Sequence, residues 1–255
     1  MKKLKVLKYI EEMAENGKGM LFVVLDPLDH PSSAHLISTA RTAEKAGADA
    51  LLIGGSIGVQ GTMLDEITKA VKESVSLPVI LFPGNIGTLT KYADAVYFMS
   101  MLNSINPYWI SRAQLQGAPV VRQLGIEPIP TAYVVVEPGG TVGYIGQAQA
   151  IPRNKPQIAA MYGLSAQYSG FGIFITDAGS ASPEPVPVEM VKAVSSVIDI
   201  PYIVAGGIRS PEQAKGIISA GASGIQVGTA FEKGNAEKML KLMVGAVRDG
   251  SRKRR

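Results

Sequence analysis

Two glycine steps near the C-terminal end carry the strongest chemical signal in this chain. Tyr202-Ile203-Val204-Ala205 runs into Gly206-Gly207, and Gly224-Ile225-Gln226-Val227 runs into Gly228-Thr229. Each apolar run is short, β-branched and ended by glycine, the pattern of a buried parallel strand. Glycine just past a strand lets backbone N–H groups crowd round an anion with no Cβ in the way. Two such steps, a helix length apart, match the way the last two strands of an eightfold barrel build a phosphate site. The spacing points to a phosphorylated ligand.

Three further positions offer oxygen chemistry. Asp26 ends Leu25-Asp26-Pro27, where proline stops the strand, and Ser56 closes Gly54-Gly55-Ser56. A carboxylate, a hydroxyl and substrate phosphates form a common Mg²⁺ environment, because Mg²⁺ takes one or two protein oxygens and fills its shell with phosphate and water. The other reading for both residues is local: Asp26 pins its loop by capping, and Ser56 is a turn residue. Asp177 ends Ile175-Thr176-Asp177 and precedes Ala178-Gly179-Ser180-Ala181, small residues that admit a close backbone approach. Its carboxylate either accepts a proton from a substrate hydroxyl or caps its own turn.

A fourth stretch is greasy. Tyr97-Phe98-Met99-Ser100-Met101-Leu102-Asn103 keeps large apolar residues going past a strand end. Methionine adapts to flexible apolar partners. The stripe is either ordinary core or, with Tyr108 and Trp109 beyond it, the wall of a hydrocarbon slot. Phosphate site, metal carboxylate and apolar wall together suggest a ligand carrying both a diphosphate and a long apolar chain.

Strands must place these groups on one rim. The periodicity predicts strands over 20–25, 50–53, 79–82, 95–99, 132–136 and 172–176, then the two that lead into the glycine steps. Helices are predicted over 36–46, 63–75, 107–116, 158–168, 188–197, 211–220 and 235–248, with an N-terminal one over 4–16 packed on the bottom or side. Alternating β and α units with Val- and Ile-rich strands make a parallel sheet covered on both faces. The expected fold is a single α/β domain over 1–255, a (β/α)8 TIM-type barrel with a basic tail at 250–255. One interval breaks the rhythm: Gly84 to Thr90 is short and twice interrupted by glycine, so the third outer helix is expected to be reduced or missing. That opens a side wall, either for an apolar ligand or for a neighbouring subunit.

Composition narrows the classes. The chain has 255 residues, 46% hydrophobic and 18% charged, enough for a large core and unlike a disordered protein. No apolar run is long enough to span a membrane, no signal-peptide pattern is present, and no cysteine occurs, so a cytoplasmic location is expected. The net charge is +4, part of it in Arg252-Lys253-Arg254-Arg255. That tail is either a frayed end or a weak contact to a membrane surface, worth about 1 kcal/mol per basic residue. No zinc-finger spacing, RNA-binding aromatic motif or basic stripe is present, which argues against nucleic acid.

The motifs, taken in order, resemble geranylgeranylglyceryl phosphate synthase of archaea and its bacterial heptaprenylglyceryl phosphate synthase relatives. The resemblance covers almost the whole chain. Its carriers are Leu25-Asp26-Pro27, Gly54-Gly55-Ser56, Leu81-Phe82-Pro83-Gly84, Met99 to Ser104, Tyr133 to Gly139, Asp177-Ala178-Gly179-Ser180, Gly206-Gly207 and Gly228-Thr229. It implies a Mg²⁺-dependent prenyltransferase that joins the C3 hydroxyl of sn-glycerol 1-phosphate to geranylgeranyl diphosphate, the first committed step of archaeal membrane lipid synthesis. It implies Asp26 and Ser56 as metal ligands. Ile175, Thr176, Asp177, Ala178, Gly179, Ser180, Ala181, Gly206, Gly207, Gly228 and Thr229 would form the glycerol-phosphate site, with Asp177 as the catalytic base. Phe98, Met99, Met101, Tyr108 and Trp109 would line the prenyl slot. Relatives form dimers or hexamers, so a homo-oligomer is implied.

Two positions depart from the family pattern. Asp177 stands where a glutamate is common, drawing the carboxylate back by one methylene, about 1.5 Å by ordinary bond lengths. Leu28-Asp29 follows Pro27 where an acidic residue and a lysine are frequent, so cations for the diphosphate must come from elsewhere; Arg112, Arg153, Lys155 and Arg209 are candidates. The rival enzyme is another phosphate-binding barrel, flavin-dependent or sugar-phosphate-converting, since the glycine steps are common to those. The non-enzymatic rival is a barrel that binds a prenyl phosphate or scaffolds an assembly.

Overall fold

Short β-branched runs alternate with amphipathic helical stretches, and the computed structural model, which describes residues 5–54, 59–228 and 236–252, closes them into a barrel. Its strands are β1 (Met20–Leu25), β2 (Ala50–Ile53), β3 (Val79–Leu81), β4 (Ala95–Met101), β5 (Glu127–Val135), β6 (Ile173–Asp177), β7 (Tyr202–Ala205) and β8 (Gly224–Val227). They pair in sequence order and in parallel, and β8 returns to β1 through Met20↔Gly224. The helices are α1 (Lys5–Glu15), α2 (Ser33–Ala46), α3 (Gly61–Ser74), α4 (Ala113–Leu124), α5 (Gly140–Ile145), α6 (Pro156–Tyr168), α7 (Val188–Ser195), α8 (Pro211–Ser219) and α9 (Ala236–Arg252).

Strand alternation divides the core in two. Met20, Phe22, Leu52, Ile80, Tyr97, Tyr133 and Ile203 pack inside the barrel, whereas Leu21, Val23, Leu51, Phe174 and Tyr202 pack between sheet and helices. Helix α1 adds Val6, Leu7 and Ile10 to the inner cluster, so it closes the barrel from its N-terminal end. Glu127, at the start of β5, fixes that closure. Its carboxylate accepts the backbone N–H groups of Lys5, Val6 and Leu7 at 2.7, 2.9 and 2.8 Å, donors the first turn of a helix cannot satisfy itself.

Residues 82–94 contain no helix, so the third outer helix is missing and β3 leads to β4 through a tight loop. Asn85 organises it: its side chain accepts from Gly87 N at 2.7 Å, and its carbonyl accepts from the Thr88 hydroxyl at 2.6 Å. Several bounds differ from expectation. Strand β5 begins at Glu127 rather than 132, despite Pro128 and Pro130. Pro130 turns its carbonyl toward Gly172 on the β6 side, and pairing with β6 starts only at Thr131, so no proline N–H is needed there. The helix expected over 107–116 opens instead as a π-type turn over Tyr108–Arg112, and α4 continues past Pro119 to Leu124. The carbonyl that Pro119 cannot bond belongs to Leu115, an exposed residue, so the lost bond falls on the solvent side of the helix. Helix α9 runs to Arg252, so the start of the expected tail is helical; 253–255 lie outside the described residues.

Candidate functional site

At the C-terminal rim the loops after β6, β7 and β8 enclose a cavity of about 110 Å³. Its walls include Asp177, Ser180, Ala181, Gly206, Gly207 and Gly228, and Val24 and Phe82 add apolar surface to it. Gly206 and Gly207 adopt φ of +79° and +71°, a conformation that favours glycine. Space imposes the same choice. A Cβ on Gly206 would stand 2.5 Å from Asp177 Oδ1, and one on Gly207 would collide with the Glu184 carbonyl. The glycine step is therefore required by close packing of two rim loops, independently of any ligand.

Asp177 is the buried acid of this cavity. Tyr133 on β5 donates its hydroxyl to Asp177 Oδ2 at 2.7 Å, and Gly179 N donates to Oδ1 at 2.6 Å. Burial raises the carboxyl above its ordinary value, and these two hydrogen bonds oppose that shift only partly. The same burial, with the adjacent carboxylate, holds Tyr133 neutral far into the alkaline range. Asp177 is thus an oriented carboxylate that is more basic than an exposed aspartate, as a proton acceptor requires.

The remaining residues of the 175–181 run divide by strand alternation. Ile175 packs inside the barrel below the cavity, and the Thr176 hydroxyl points outward, 2.8 Å from the Tyr202 hydroxyl. Ala178 is buried in the outer core, so none of these three lines the cavity with its side chain. Two of the four candidate cations have structural work. Arg153 bridges to Glu184 at 3.1 Å and donates to the Pro185 and Glu137 carbonyls, tying the loop after β5 to the loop after β6. Arg209 donates to the Ala181 carbonyl at 3.0 Å and holds that residue at a φ of +60°. Arg112 and Lys155 are exposed and make no ion pair among the described residues.

Asp26 caps the 3-10 turn Pro27–Asp29, accepting from Leu28 N at 3.0 Å, so the capping role weighed for it is present. Its second oxygen has no partner among the described residues, and burial, with Asp29 nearby, raises its carboxyl. No cluster of three acidic or histidine residues occurs among the described residues. A single free carboxylate oxygen fits Mg²⁺, which keeps water and phosphate in its shell, and would not fit a metal needing an all-protein cage. Ser56 and Thr229, and with them Gly55, lie outside the described residues.

Beside this cavity a second, apolar opening runs along β4 where the third helix is missing. Ile86 and Leu89 of the short loop line it together with Phe98, Met99 and Met101 of β4, and Trp109 is part of the same wall. Gly117 on α4 leaves room there, for a Cβ built on it meets nothing within 4 Å. Tyr108 is not part of this wall. It packs edge-on against Trp109, with ring centroids 5.0 Å apart, and so braces that indole. Gln114 fixes the π-type turn to the strand by donating to the carbonyls of Met99 and Trp109. The two openings share a partition: Phe82 lines the polar cavity, Tyr97 lines the slot, and their rings meet at 74° with centroids 5.8 Å apart.

Sequence reasoning gave no site role to Tyr133 or Phe82. Both reach the site only because β3, β5 and β6 end on one rim. A tyrosine in a buried strand signals a hidden hydroxyl needing a partner, but not which one.

The sequence matches the PcrB family over residues 19–247. It is 51% identical over 246 residues to a Pyrococcus horikoshii protein named geranylgeranylglyceryl phosphate synthase, covering 96% of each chain. A Methanothermobacter thermautotrophicus protein of the same name is 42% identical over 242 residues, 94% of this chain and 98% of the relative. Among solved structures, the (S)-3-O-geranylgeranylglyceryl phosphate synthase of Thermoplasma acidophilum, crystallised with its substrate sn-glycerol-1-phosphate, superposes with a TM-score of 0.91. It is 38% identical and covers 95% of this chain and 98% of its own. A thiamine phosphate pyrophosphorylase of Pyrococcus furiosus, at 16% identity and a TM-score of 0.59, shares the fold alone.

Proposed function

The chain belongs to the PcrB family, and from that premise we propose that it is a geranylgeranylglyceryl phosphate synthase acting on sn-glycerol 1-phosphate and geranylgeranyl diphosphate. The observation that carries this reading is the juxtaposition of a glycine-walled polar cavity and an apolar slot across the Phe82–Tyr97 partition. A flavin- or sugar-phosphate-converting barrel has no use for such a slot.

In the proposed reaction the C3 oxygen of glycerol phosphate bonds to C1 of the prenyl chain. The C1–oxygen bond to diphosphate breaks, and the C3 hydroxyl proton passes to Asp177. Asp177 Oδ2 is held by Tyr133 and Oδ1 by Gly179 N, so the base is aimed before substrate arrives. Gly206, Gly207 and Gly228 receive the phosphate of the acceptor. Ile86, Phe98, Met99 and Trp109 exclude water from the chain and align C1. Asp26 and Ser56 would hold Mg²⁺, and that ion would supply positive charge against the departing diphosphate. An alcohol is a weak nucleophile, but an allylic centre whose leaving group is stabilised needs little more than positioning.

Cytoplasmic location, contact with a membrane surface through the basic C-terminus and self-association belong to the same reading. Among the described residues no helix is long and apolar enough to cross a membrane. Leu115, Tyr144, Met161 and Tyr168 are exposed apolar side chains available for a second copy.

The test is transfer of labelled sn-glycerol 1-phosphate to geranylgeranyl, farnesyl and heptaprenyl diphosphates in parallel. A butanol-extractable product that vanishes with chelator, formed best with geranylgeranyl diphosphate, is expected. Folded, flavin-free protein giving no product with any donor would refute the proposal.

A further inference from the structure

Gln226 is an anomaly in a barrel interior. It sits on β8, is 3% exposed, and lines the polar cavity. Neither its amide nitrogen nor its amide oxygen has a hydrogen-bond partner among the described residues. Its register neighbours are Phe22 on β1 and Ala205 on β7, and the Phe22 ring also fills the space over Gly224 just below. Among the described residues nothing around its base satisfies the amide. Methionine or leucine would fill the same volume without a buried, unpaired polar group, so the amide is a cost to the fold unless a ligand meets it.

The register shows where that ligand lies. Asp177 pairs with Ala205, and Ala205 pairs with Gln226, so all three stand at one level on adjacent strands. Two strand spacings separate the carboxylate from the amide, about 9.5 Å between their Cα atoms, with only a methyl group between. Above them are the glycines of β7 and β8. Glycerol phosphate brings three polar groups: a phosphate, a reacting hydroxyl and a second hydroxyl. The backbone N–H groups suit the first, and Asp177 suits the second. An amide both donates and accepts, as a hydroxyl does, and is the polar group left over for the third.

We infer that Gln226 hydrogen-bonds the C2 hydroxyl of sn-glycerol 1-phosphate and is the residue that makes the site read the configuration at C2. Two points of attachment, phosphate and C3 hydroxyl, cannot separate a molecule from its mirror image at C2. A third directed contact can. The inference rests on the proposed function for the identity of the acceptor, and binding measurements test it without prenyl transfer.

Calorimetric titration would compare sn-glycerol 1-phosphate, sn-glycerol 3-phosphate and 3-hydroxypropyl phosphate, which lacks the C2 hydroxyl. Wild-type protein should bind the first at least about tenfold more tightly than the other two, because each of those leaves the amide unpaired. In Gln226→Met the three affinities should converge to within about threefold, while affinity for geranylgeranyl diphosphate is unchanged. Wild-type protein that binds 3-hydroxypropyl phosphate as tightly as sn-glycerol 1-phosphate overturns the inference, whatever the variant does. So does a folded Gln226→Met that keeps the wild-type ratios, which would leave the amide to a buried water. Wild-type protein that binds none of the three sinks the proposed function itself.

Discussion

At the scale of single residues the proposed chemistry rests on Asp177. Its ordinary value of 3.8 is raised by burial, so the acid limb of turnover should lie at higher pH than an exposed aspartate gives, with activity lost as pH falls through that raised value. Asp177→Asn should lower kcat about 10²- to 10⁴-fold while glycerol phosphate still binds. Stability has the opposite sign. The folded state holds this proton more tightly than the unfolded state, so the contribution of Asp177 is most favourable where it is protonated and declines as pH rises from 3.8 through the raised value. Melting temperature measured against pH should decline more steeply in the wild type than in Asp177→Asn over that range. Asp26 is the second test at this scale. Asp26→Ala should cost about 100-fold or more in Mg²⁺-dependent turnover while the circular dichroism spectrum is unchanged; unaltered turnover would refute the metal role.

On the proposed reading, elements decide how long a chain the slot accepts. Loss of one outer helix leaves the β3–β4 loop against β4, and the π-type turn over Tyr108–Arg112 brings Trp109 into the wall of the opening. Tyr108 braces the indole edge-on, so that part of the wall is stiff, and Trp109 is the candidate for a chain-length stop. Trp109→Ala should raise kcat/KM for a donor one prenyl unit longer about tenfold relative to geranylgeranyl diphosphate, since apolar pocket fit is worth roughly that factor per small group. An unchanged donor preference would place the stop elsewhere. How much of this was legible varies by element. The missing helix could be read from Gly84 and Gly87, since glycine weakens any helix. The π-type turn could not, because Tyr108 to Arg112 has ordinary helical composition. Strand β5 was cut short for the same kind of reason: proline is penalised locally, and only the position of β6 shows that Pro128 and Pro130 owe no hydrogen bond.

The whole molecule is held shut at the end opposite the site. Arg248 on α9 pairs with Asp49 at 2.8 Å and donates to the carbonyls of Gly19 and Gly47. Asp49 is 4% exposed and also accepts Leu21 N at 2.8 Å, so one ion pair joins the last helix to the first two strands. Arg248→Met leaves that carboxylate without its cation and should destabilise the fold by about 2–3 kcal/mol, read by chemical denaturation. Glycerol phosphate affinity should stay within a factor of two, since the clamp and the cavity are at opposite ends of the barrel.

Composition and order alone determined the alternating βα architecture, the rim acids Asp26 and Asp177 and the glycine steps. Strand period, proline stops and glycine punctuation are local properties of a chain. What only the tertiary structure decided is which side chains meet. Strand alternation turned Thr176 away from the cavity and Asp177 into it. Barrel register brought Tyr133, 44 residues away in sequence, onto Asp177, and set Gln226 level with that carboxylate. Register is fixed by closure of all eight strands, and no segment of sequence carries it by itself.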